Sequence, residues 1–158
     1  MFIRTPDDVE AFGPAFERLE QLVGLRGRKY YGAFFPREKE YRACVELQEG
    51  DDPQALGLER GTLPGGRYLR TRLRGEPPEL YGRIGPTFEA LIAQTAPDES
   101  RPSIEFYRRH DEIDLLLPVP GESRPARPLL SRGEQRTPLT RSREAGKESK
   151  VSHALNAP

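Results

Sequence analysis

Apolar periodicity in the first fifty residues predicts one helix followed by two strands. Five apolar residues recur at spacings of three and four, which places them on one helical face: Val9, Phe12, Phe16, Leu19 and Val23. Residues 29–36 (KYYGAFFP) are aromatic and strand-like, and residues 41–47 (YRACVEL) alternate in polarity. The charged segment 37–40 between them is typical of a turn, so we expect a hairpin.

The same order of elements follows in residues 62–119. Residues 62–73 (TLPGGRYLRTRL) predict a strand, residues 77 to about 95 a helix, and residues 102–107 and 113–119 two more strands. Both helices contain a Gly-Pro pair, at residues 13–14 and 85–86, so each is expected to kink or split there. Only residues 1–4 correspond to the opening strand of the first unit. We therefore expect that strand to be truncated or lacking, with an unpaired sheet edge.

An ungapped shift of 72 positions aligns the two units with each other. Residues 1–47 and 73–119 share 9 identities in 47 positions, where average residue usage gives roughly three. The alternative is coincidence between two helix-then-strand segments. We predict an α+β fold of two strand–helix–strand–strand repeats with pseudo-two-fold symmetry and an antiparallel sheet. Repeat one is 1–47, the linker 48–61 and repeat two 62–119, and the cleft between the repeats is a natural ligand site.

Charge and aromatic content separate the last part of the chain from the rest. The 158 residues carry 25 acidic and 25 basic side chains, but residues 120–158 hold eight basic and four acidic ones and no aromatic residue. Such a Pro/Arg/Ser-rich segment buries too little apolar surface to order itself, so we predict a disordered basic tail. The slightly acidic remainder does not favour specific nucleic-acid binding by the folded domain. The tail could still contact nucleic acid weakly.

Two further features of the sequence bear on the cellular compartment of the protein. Cys44 is the single cysteine, which excludes an internal disulfide and suits a reducing cytosol. We expect it to be a strand core residue and not a nucleophile. The start of the chain has no apolar segment typical of a signal peptide, and no run approaches the ~20 apolar residues of a membrane span. We therefore predict a cytoplasmic protein without a membrane partner.

The strand at residues 102–107 carries the candidate chemistry. Side chains alternate along a strand, so Ser103, Glu105 and Tyr107 share one face, while Ile104 and Phe106 share the other and should pack on the helices. A carboxylate among aromatic rings suits lipophilic cations.

The 72-residue alignment extends this candidate cleft. It places Tyr31, Ala33 and Phe35 of the first unit on the face of Glu105, and Tyr68 is a further aromatic neighbour. The alternative is a solvated sheet face on which Glu105 pairs with Arg101 or Arg109. Partial burial would raise the pKa of Glu105 and suit it to general base or acid chemistry.

Other candidate functional residues give weaker evidence for a site. His110 falls in a predicted turn and has no second histidine within residues 1–119, so we expect no metal site and no cofactor. Gly65-Gly66 precedes a strand and indicates a turn, not a phosphate-binding loop. Four arginines within or directly after the predicted strand at 62–73 indicate either an exposed strand face or a basic stripe: Arg67, Arg70, Arg72 and Arg74.

Three segments together resemble a known family. Pro64-Gly65-Gly66-Arg67-Tyr68, then Glu105-Phe106-Tyr107 after an amphipathic helix, then Leu117-Pro118-Val119 resemble the GyrI-like small-molecule-binding superfamily. This group includes the effector-binding domains of AraC-type and MerR-type multidrug regulators. The resemblance implies two strand–helix–strand–strand units around a central pocket. It also implies that Glu105 meets cationic or polarised ligands there, with Tyr107 beside it and Leu116 where the family often has an aromatic residue.

These observations lead to three functional expectations. The first is a stand-alone effector-binding, sensor or sequestering protein that takes a small hydrophobic or cationic molecule, connected with transcription regulation or multidrug binding. The second, implied by some stand-alone members of the family, is a hydrolase of cyclopropane-bearing genotoxins. In it Glu105 would activate water, and Tyr107 would orient substrate or donate a proton. The third is a gyrase-inhibitor-like protein, whose partner would be a regulator or gyrase.

Overall fold

A computed structural model describes residues 1–121 of the chain. The predicted tail, residues 120–158, lies almost entirely outside the described residues. Nine elements follow one another: β1 (Phe2–Pro6), α1 (Val9–Val23), β2 (Tyr30–Phe35), β3 (Glu40–Val45), β4 (Tyr68–Arg74), α2 (Glu79–Gly82), α3 (Ile84–Gln94), β5 (Ser103–Arg109) and β6 (Glu112–Pro118). The predicted α+β class is confirmed.

All strand pairs in the described residues are antiparallel, and they form one six-stranded sheet in the order β1-β3-β2-β5-β6-β4. Residues 1–47 contribute three neighbouring strands and residues 62–119 the other three. The two halves meet where β2 pairs with β5. Both halves have the predicted element order. Their origin by duplication and their pseudo-two-fold symmetry stay predictions.

The first strand is present but short, so the expectation of a truncated strand agrees with the structure and the expectation of a lacking strand does not. Five residues of β1 pair with β3, from Phe2 opposite Cys44 to Pro6 opposite Glu40. On its outer side, Phe2 also exchanges two backbone hydrogen bonds with Glu59, at 2.9 and 3.1 Å. β1 is two residues shorter than β4. The expectation that the sheet is one strand short is therefore wrong.

Strand β4 begins six residues later than predicted. Pro64 has no N–H to give to a strand ladder, and Gly66 has φ 122°, a conformation that favours glycine. Residues 62–67 therefore form no strand.

The two helices that contain a Gly-Pro pair differ in whether the helix is interrupted. α1 is continuous through Pro14, so of the two predicted outcomes, a kink or a split, the split does not occur there. Pro14 removes the N–H that would donate to Glu10, but burial of Ala15 and Leu19 against the sheet holds the helix together. The second helix is divided at Arg83, just before its Gly-Pro pair.

Both helices pack on the same face of the sheet. α1 lies over the outer strands β1 and β3, and α3 lies over the outer strands β6 and β4. Each helix has its own hydrophobic cluster, one around Leu19, Tyr30 and Val45 and the other around Leu80 and Ile113. The central strands β2 and β5 lie between the helices. We call the space above them, between α1 and the α2–α3 pair, the furrow.

No helix within residues 1–121 has the length and apolar character that crossing a membrane requires.

Candidate functional site around Glu105

Glu105 lies in the middle of β5, on the sheet face that the helices cover. Its partner across the central strand pair is Gly32 of β2. A side chain at Gly32 would collide with the Tyr41 hydroxyl and with Glu105 Oε2. Glycine at this position therefore allows a phenol and a carboxylate to meet above the sheet.

Two phenols donate hydrogen bonds to the same carboxylate oxygen. The Tyr41 and Tyr107 hydroxyls each lie 2.7 Å from Glu105 Oε2. Oε1 accepts no hydrogen bond from any of residues 1–121. No side-chain nitrogen or oxygen in that part of the chain is both buried and unpaired. Oε1 is therefore not completely enclosed, although most of the Glu105 carboxylate is buried.

Aromatic side chains from α1 and α2 pack on the two phenol rings that bond to this carboxylate. Phe12 stacks on Tyr41 with ring centroids 3.7 Å apart. Phe16 meets Tyr107 edge to face at 5.1 Å, and Tyr81 of α2 meets the same ring at 6.4 Å. Tyr107 thus contacts α1 on one side of the furrow and α2 on the other.

Burial raises the pKa of Glu105 above its ordinary value of 4.5. The hydrogen bonds from Tyr107 and Tyr41 act in the opposite direction, because they stabilise the ionised form, but burial is the larger effect. Burial and the neighbouring carboxylate raise the pKa values of both phenols, so they remain protonated donors. Within residues 1–121 Glu105 has no cationic partner, and Arg101 pairs instead with Asp98 at 2.9 Å.

This arrangement can bind a positive charge or take up a proton. One carboxylate oxygen is fixed by two donors, and the other accepts no hydrogen bond from residues 1–121. The rings of Tyr107 and Phe16 offer π faces or edges nearby. The carboxylate orientation is set before any ligand arrives, which is the condition for a pre-organised site.

The predicted site residues divide between the two sheet faces. Glu105, Tyr107 and Ser103 share the helix-covered face, as the alternation along β5 predicted. Four others lie on the opposite face, so the prediction that they surround Glu105 is wrong: Tyr31, Phe35, Tyr68 and Leu116.

Their contacts on that opposite face are specific. Tyr31 stacks on Phe106 with ring centroids 4.8 Å apart, and the Arg42 guanidinium lies 3.9 Å from the Phe35 ring centroid. Tyr68 lies under Arg101 at 4.8 Å. The prediction that Ile104 and Phe106 pack on the helices is wrong for the same reason, since both lie on the face away from them.

A one-residue difference between the two hairpins causes this inversion. In the first hairpin Phe35 pairs with Glu40. A shift of 72 makes Tyr107 and Glu112 the equivalent pair, but Tyr107 pairs with Ile113, and Glu112 pairs with Arg109 beyond an irregularity in β5. A one-residue offset turns every side chain to the other face. The irregularity therefore directs Glu105 to the helices.

Sequence reasoning missed Tyr41, Gly32 and Tyr81 as members of the site, and it treated Phe12 and Phe16 as helix packing only. Two signals were available. A glycine inside an aromatic strand marks the close approach of another group. Tyr41 also alternates with the buried residues at 43 and 45, which places it on the helix-covered face.

His110 is exposed and lies 3.9 Å from Glu76. Among residues 1–121 no three acidic, histidine or cysteine side chains are grouped closely enough to hold a metal ion. Burial raises the pKa of the Cys44 thiol to about 12, which does not favour a nucleophilic role.

Comparisons with known proteins establish a similarity of fold. No protein family matches the sequence, and no curated protein matches it. One solved structure is similar, the integron cassette protein VCH_CASS2 from the mobile metagenome of Vibrio cholerae. It aligns with a TM-score of 0.57 and 15% sequence identity, covering 76% of this chain and 87% of that chain. This similarity concerns the fold alone.

Proposed function

We propose that the protein binds small hydrophobic cations in the furrow, with Glu105 Oε1 as the charge partner. The observation that carries the proposal is the unequal state of the two carboxylate oxygens. Oε2 accepts both phenol hydrogen bonds, whereas Oε1 accepts none from residues 1–121 and is not completely enclosed. A cation that bonds to Oε1 would therefore leave the hydrogen bonds of Tyr41 and Tyr107 in place.

Electrostatics favour a cation over a neutral ligand of the same shape. A carboxylate removed from water without a cationic partner is destabilised, and burial accordingly raises the pKa of Glu105. A bound cation offsets that penalty. The rings of Tyr107 and Phe16 add cation–π attraction if the charge lies over a ring face.

The walls of the furrow favour an apolar ligand body. Phe12 and Phe16 come from α1 and Tyr81 from α2, and 46% of the Tyr81 surface is exposed. Aromatic surface with one fixed charge is typical of sites for organic cations.

The biological role that fits this chemistry is sensing or sequestration of such molecules by a cytoplasmic protein. The support is the resemblance of three segments to the GyrI-like superfamily, in which a glutamate at the position of Glu105 lies in the ligand pocket. The single cysteine, Cys44, suits a reducing compartment.

Calorimetric titration with a matched ion pair tests this proposal. Tetraphenylphosphonium and tetraphenylborate have the same shape and opposite charge, and benzyltrimethylammonium serves as a smaller cation. We expect cations to bind and the Glu105→Gln variant to bind them at least tenfold more weakly. Glu89→Gln makes the same chemical change at an exposed position of α3 and should have no effect. Equal cation affinity in the Glu105→Gln variant would contradict the proposal.

A second candidate function is hydrolysis of a strained electrophilic ring. The raised pKa of Glu105 and the lack of a hydrogen bond to its Oε1 from residues 1–121 favour it, because a desolvated carboxylate accepts a proton more readily. Oε1 would take a proton from water while the water oxygen forms a bond to a ring carbon. The electrons of the breaking ring bond pass to the other, activated carbon of that bond. This carbon then takes the proton from Glu105, which restores the carboxylate. Loss of turnover with retained binding in Glu105→Gln would favour this candidate.

The third expectation, gyrase-inhibitor-like protein binding, would depend on a surface and not on Glu105. Inhibition that is unchanged by Glu105→Gln, together with no ligand binding, would favour it.

A further inference from the structure

The sheet face opposite Glu105 contains an open depression of about 440 Å³. This volume lies within the roughly 300–1,000 Å³ of small-molecule sites. Its lining is mainly apolar and includes Phe2, Tyr31, Leu63, Ile104 and Leu116, with one arginine, Arg42.

The Arg42 guanidinium is held in a fixed position at this depression. Its Nε donates a hydrogen bond to Glu40 Oε1 at 2.6 Å. Its central carbon lies 3.9 Å from the Phe35 ring centroid and 4.7 Å from the Phe2 ring centroid. Two cation–π contacts and one ion pair therefore fix the plane of the guanidinium.

The two terminal nitrogens of Arg42 remain available. Neither donates a hydrogen bond to any of residues 1–121, and no side-chain nitrogen in that range is both buried and unpaired. Neither terminal nitrogen is therefore completely enclosed, and the Arg42 side chain as a whole is 20% exposed. Such a fork matches the two oxygens of a carboxylate or sulfonate.

The carboxylates near Arg42 do not pair with its two terminal nitrogens. Glu40 is shared, because it also accepts from Arg4 at 2.8 Å, and Arg4 in turn bonds to Glu59. Glu46 lines the rim of the depression, but it pairs with Lys29 at 3.3 Å. The nearest carboxylates thus already have cationic partners.

We propose that this depression binds a small amphipathic anion, with its apolar body on Tyr31, Ile104 and Leu116 and its acidic head on the Arg42 fork. The site lies on the other side of the sheet from Glu105. It takes ligands of opposite charge and does not depend on the function proposed above.

Two probes with the same tail test the proposal on the full-length chain: decanoate and decanol. We expect decanoate to bind at least tenfold more tightly than decanol, since only decanoate can bond to the guanidinium fork. Arg42→Gln should remove this preference, and Glu105→Gln should leave it intact. Decanoate binding no tighter than decanol, or equally tight in Arg42→Gln, would overturn the proposal.

Arg42→Gln also loses the contacts to Phe2 and Phe35, so a loss of binding in this variant could come from misfolding. A second variant separates the two causes. Leu63→Trp should fill the depression and weaken decanoate binding at least tenfold while Arg42 stays in place. Unchanged decanoate affinity in a folded Leu63→Trp protein would show that decanoate does not bind in this depression and would overturn the proposal. Thermal unfolding monitored by circular dichroism shows that each variant is folded. Cation binding to the Glu105 site should be unchanged in both variants, so failure of one site is distinguishable from failure of the other.

Discussion

Gly32 and Glu105 lie directly opposite each other on the central strands, and the missing side chain at Gly32 provides the space in which Tyr41 reaches the Glu105 carboxylate. The geometry of the candidate site therefore depends on a residue that has no functional group. It also depends on the two central strands being adjacent, since Gly32 and Glu105 are far apart in sequence.

The Gly32→Ala variant should be destabilised. The added carbon meets the Tyr41 hydroxyl and Glu105 Oε2, so both must move, and overpacking of this kind costs about 1–3 kcal/mol. Urea denaturation measures the change in the free energy of unfolding. Gly82→Ala is the matched control, because no atom lies within 4 Å of a side-chain carbon at that position. A Gly32→Ala protein as stable as the control would show that the space is not needed.

Tyr41→Phe and Tyr107→Phe should each raise the pKa of Glu105. Each variant removes one hydrogen bond that stabilises the ionised carboxylate. A ¹³C NMR titration of the Glu105 carboxyl carbon measures the pKa directly. Tyr31→Phe removes a hydroxyl on the opposite sheet face and should leave that pKa unchanged. A lowered or constant pKa in both site variants would contradict the hydrogen-bond geometry.

Stability should depend on pH through Glu105 in a defined direction. Its pKa in the folded state lies above the ordinary value of 4.5, so the folded protein holds this proton more tightly than the unfolded chain. The stabilisation is fully present below pH 4.5 and is lost as pH rises through the folded-state pKa. The difference in unfolding free energy between the unchanged protein and Glu105→Gln should therefore fall with rising pH in this window. A difference that rises with pH, as for an ion-paired carboxylate, would contradict the assigned environment.

Cation affinity should have the opposite pH dependence, because only ionised Glu105 attracts the ligand. Binding of tetraphenylphosphonium should weaken as pH falls through the Glu105 pKa, and the Glu105→Gln variant should show no such decrease. Calorimetric titrations at a series of pH values test this. An affinity that is independent of pH in the unchanged protein would point to purely hydrophobic binding.

Asp114 should contribute stability through arginine pairs on the opposite sheet face. It is 2% exposed and lies 2.7 Å from Arg72 and 3.3 Å from Arg108. These arginines lower its pKa, Arg72 most strongly, so its contribution is present above pH 3.8 and is lost as pH falls through the folded-state pKa. Asp114→Asn should cost about 1–3 kcal/mol near neutral pH. Asp111→Asn changes an exposed carboxylate and serves as the control in the same urea experiment.

The local spacing of apolar and polar residues was sufficient to predict most of the helices and strands and the α+β class. The strands around Phe34, Ala43 and Phe106 and the helix around Phe16 follow from apolar spacing and turn residues. β1 was underestimated because a strand of five residues at the edge is defined by its pairing with β3 and Glu59 and not by its own composition.

The choice of sheet face was not predictable from alternation. β5 is apolar or aromatic on both faces, with Ile104 and Phe106 on one side and Tyr107 on the other, so hydrophobicity does not decide which side meets the helices. The irregularity between Tyr107 and Arg109 decides it. Glu105 and Tyr107 were correctly placed together, because residues two apart on a strand share a face. Tyr41 could not be assigned without the strand order.

The most direct test of the central claim is the pKa of Glu105 measured by carboxyl ¹³C NMR with and without saturating tetraphenylphosphonium. A cation bound at Oε1 stabilises the ionised carboxylate, so the ligand should lower this pKa and shift the Glu105 carboxyl resonance. A cation that binds with the Glu105 pKa and resonance unchanged would lie elsewhere and would contradict binding at Glu105.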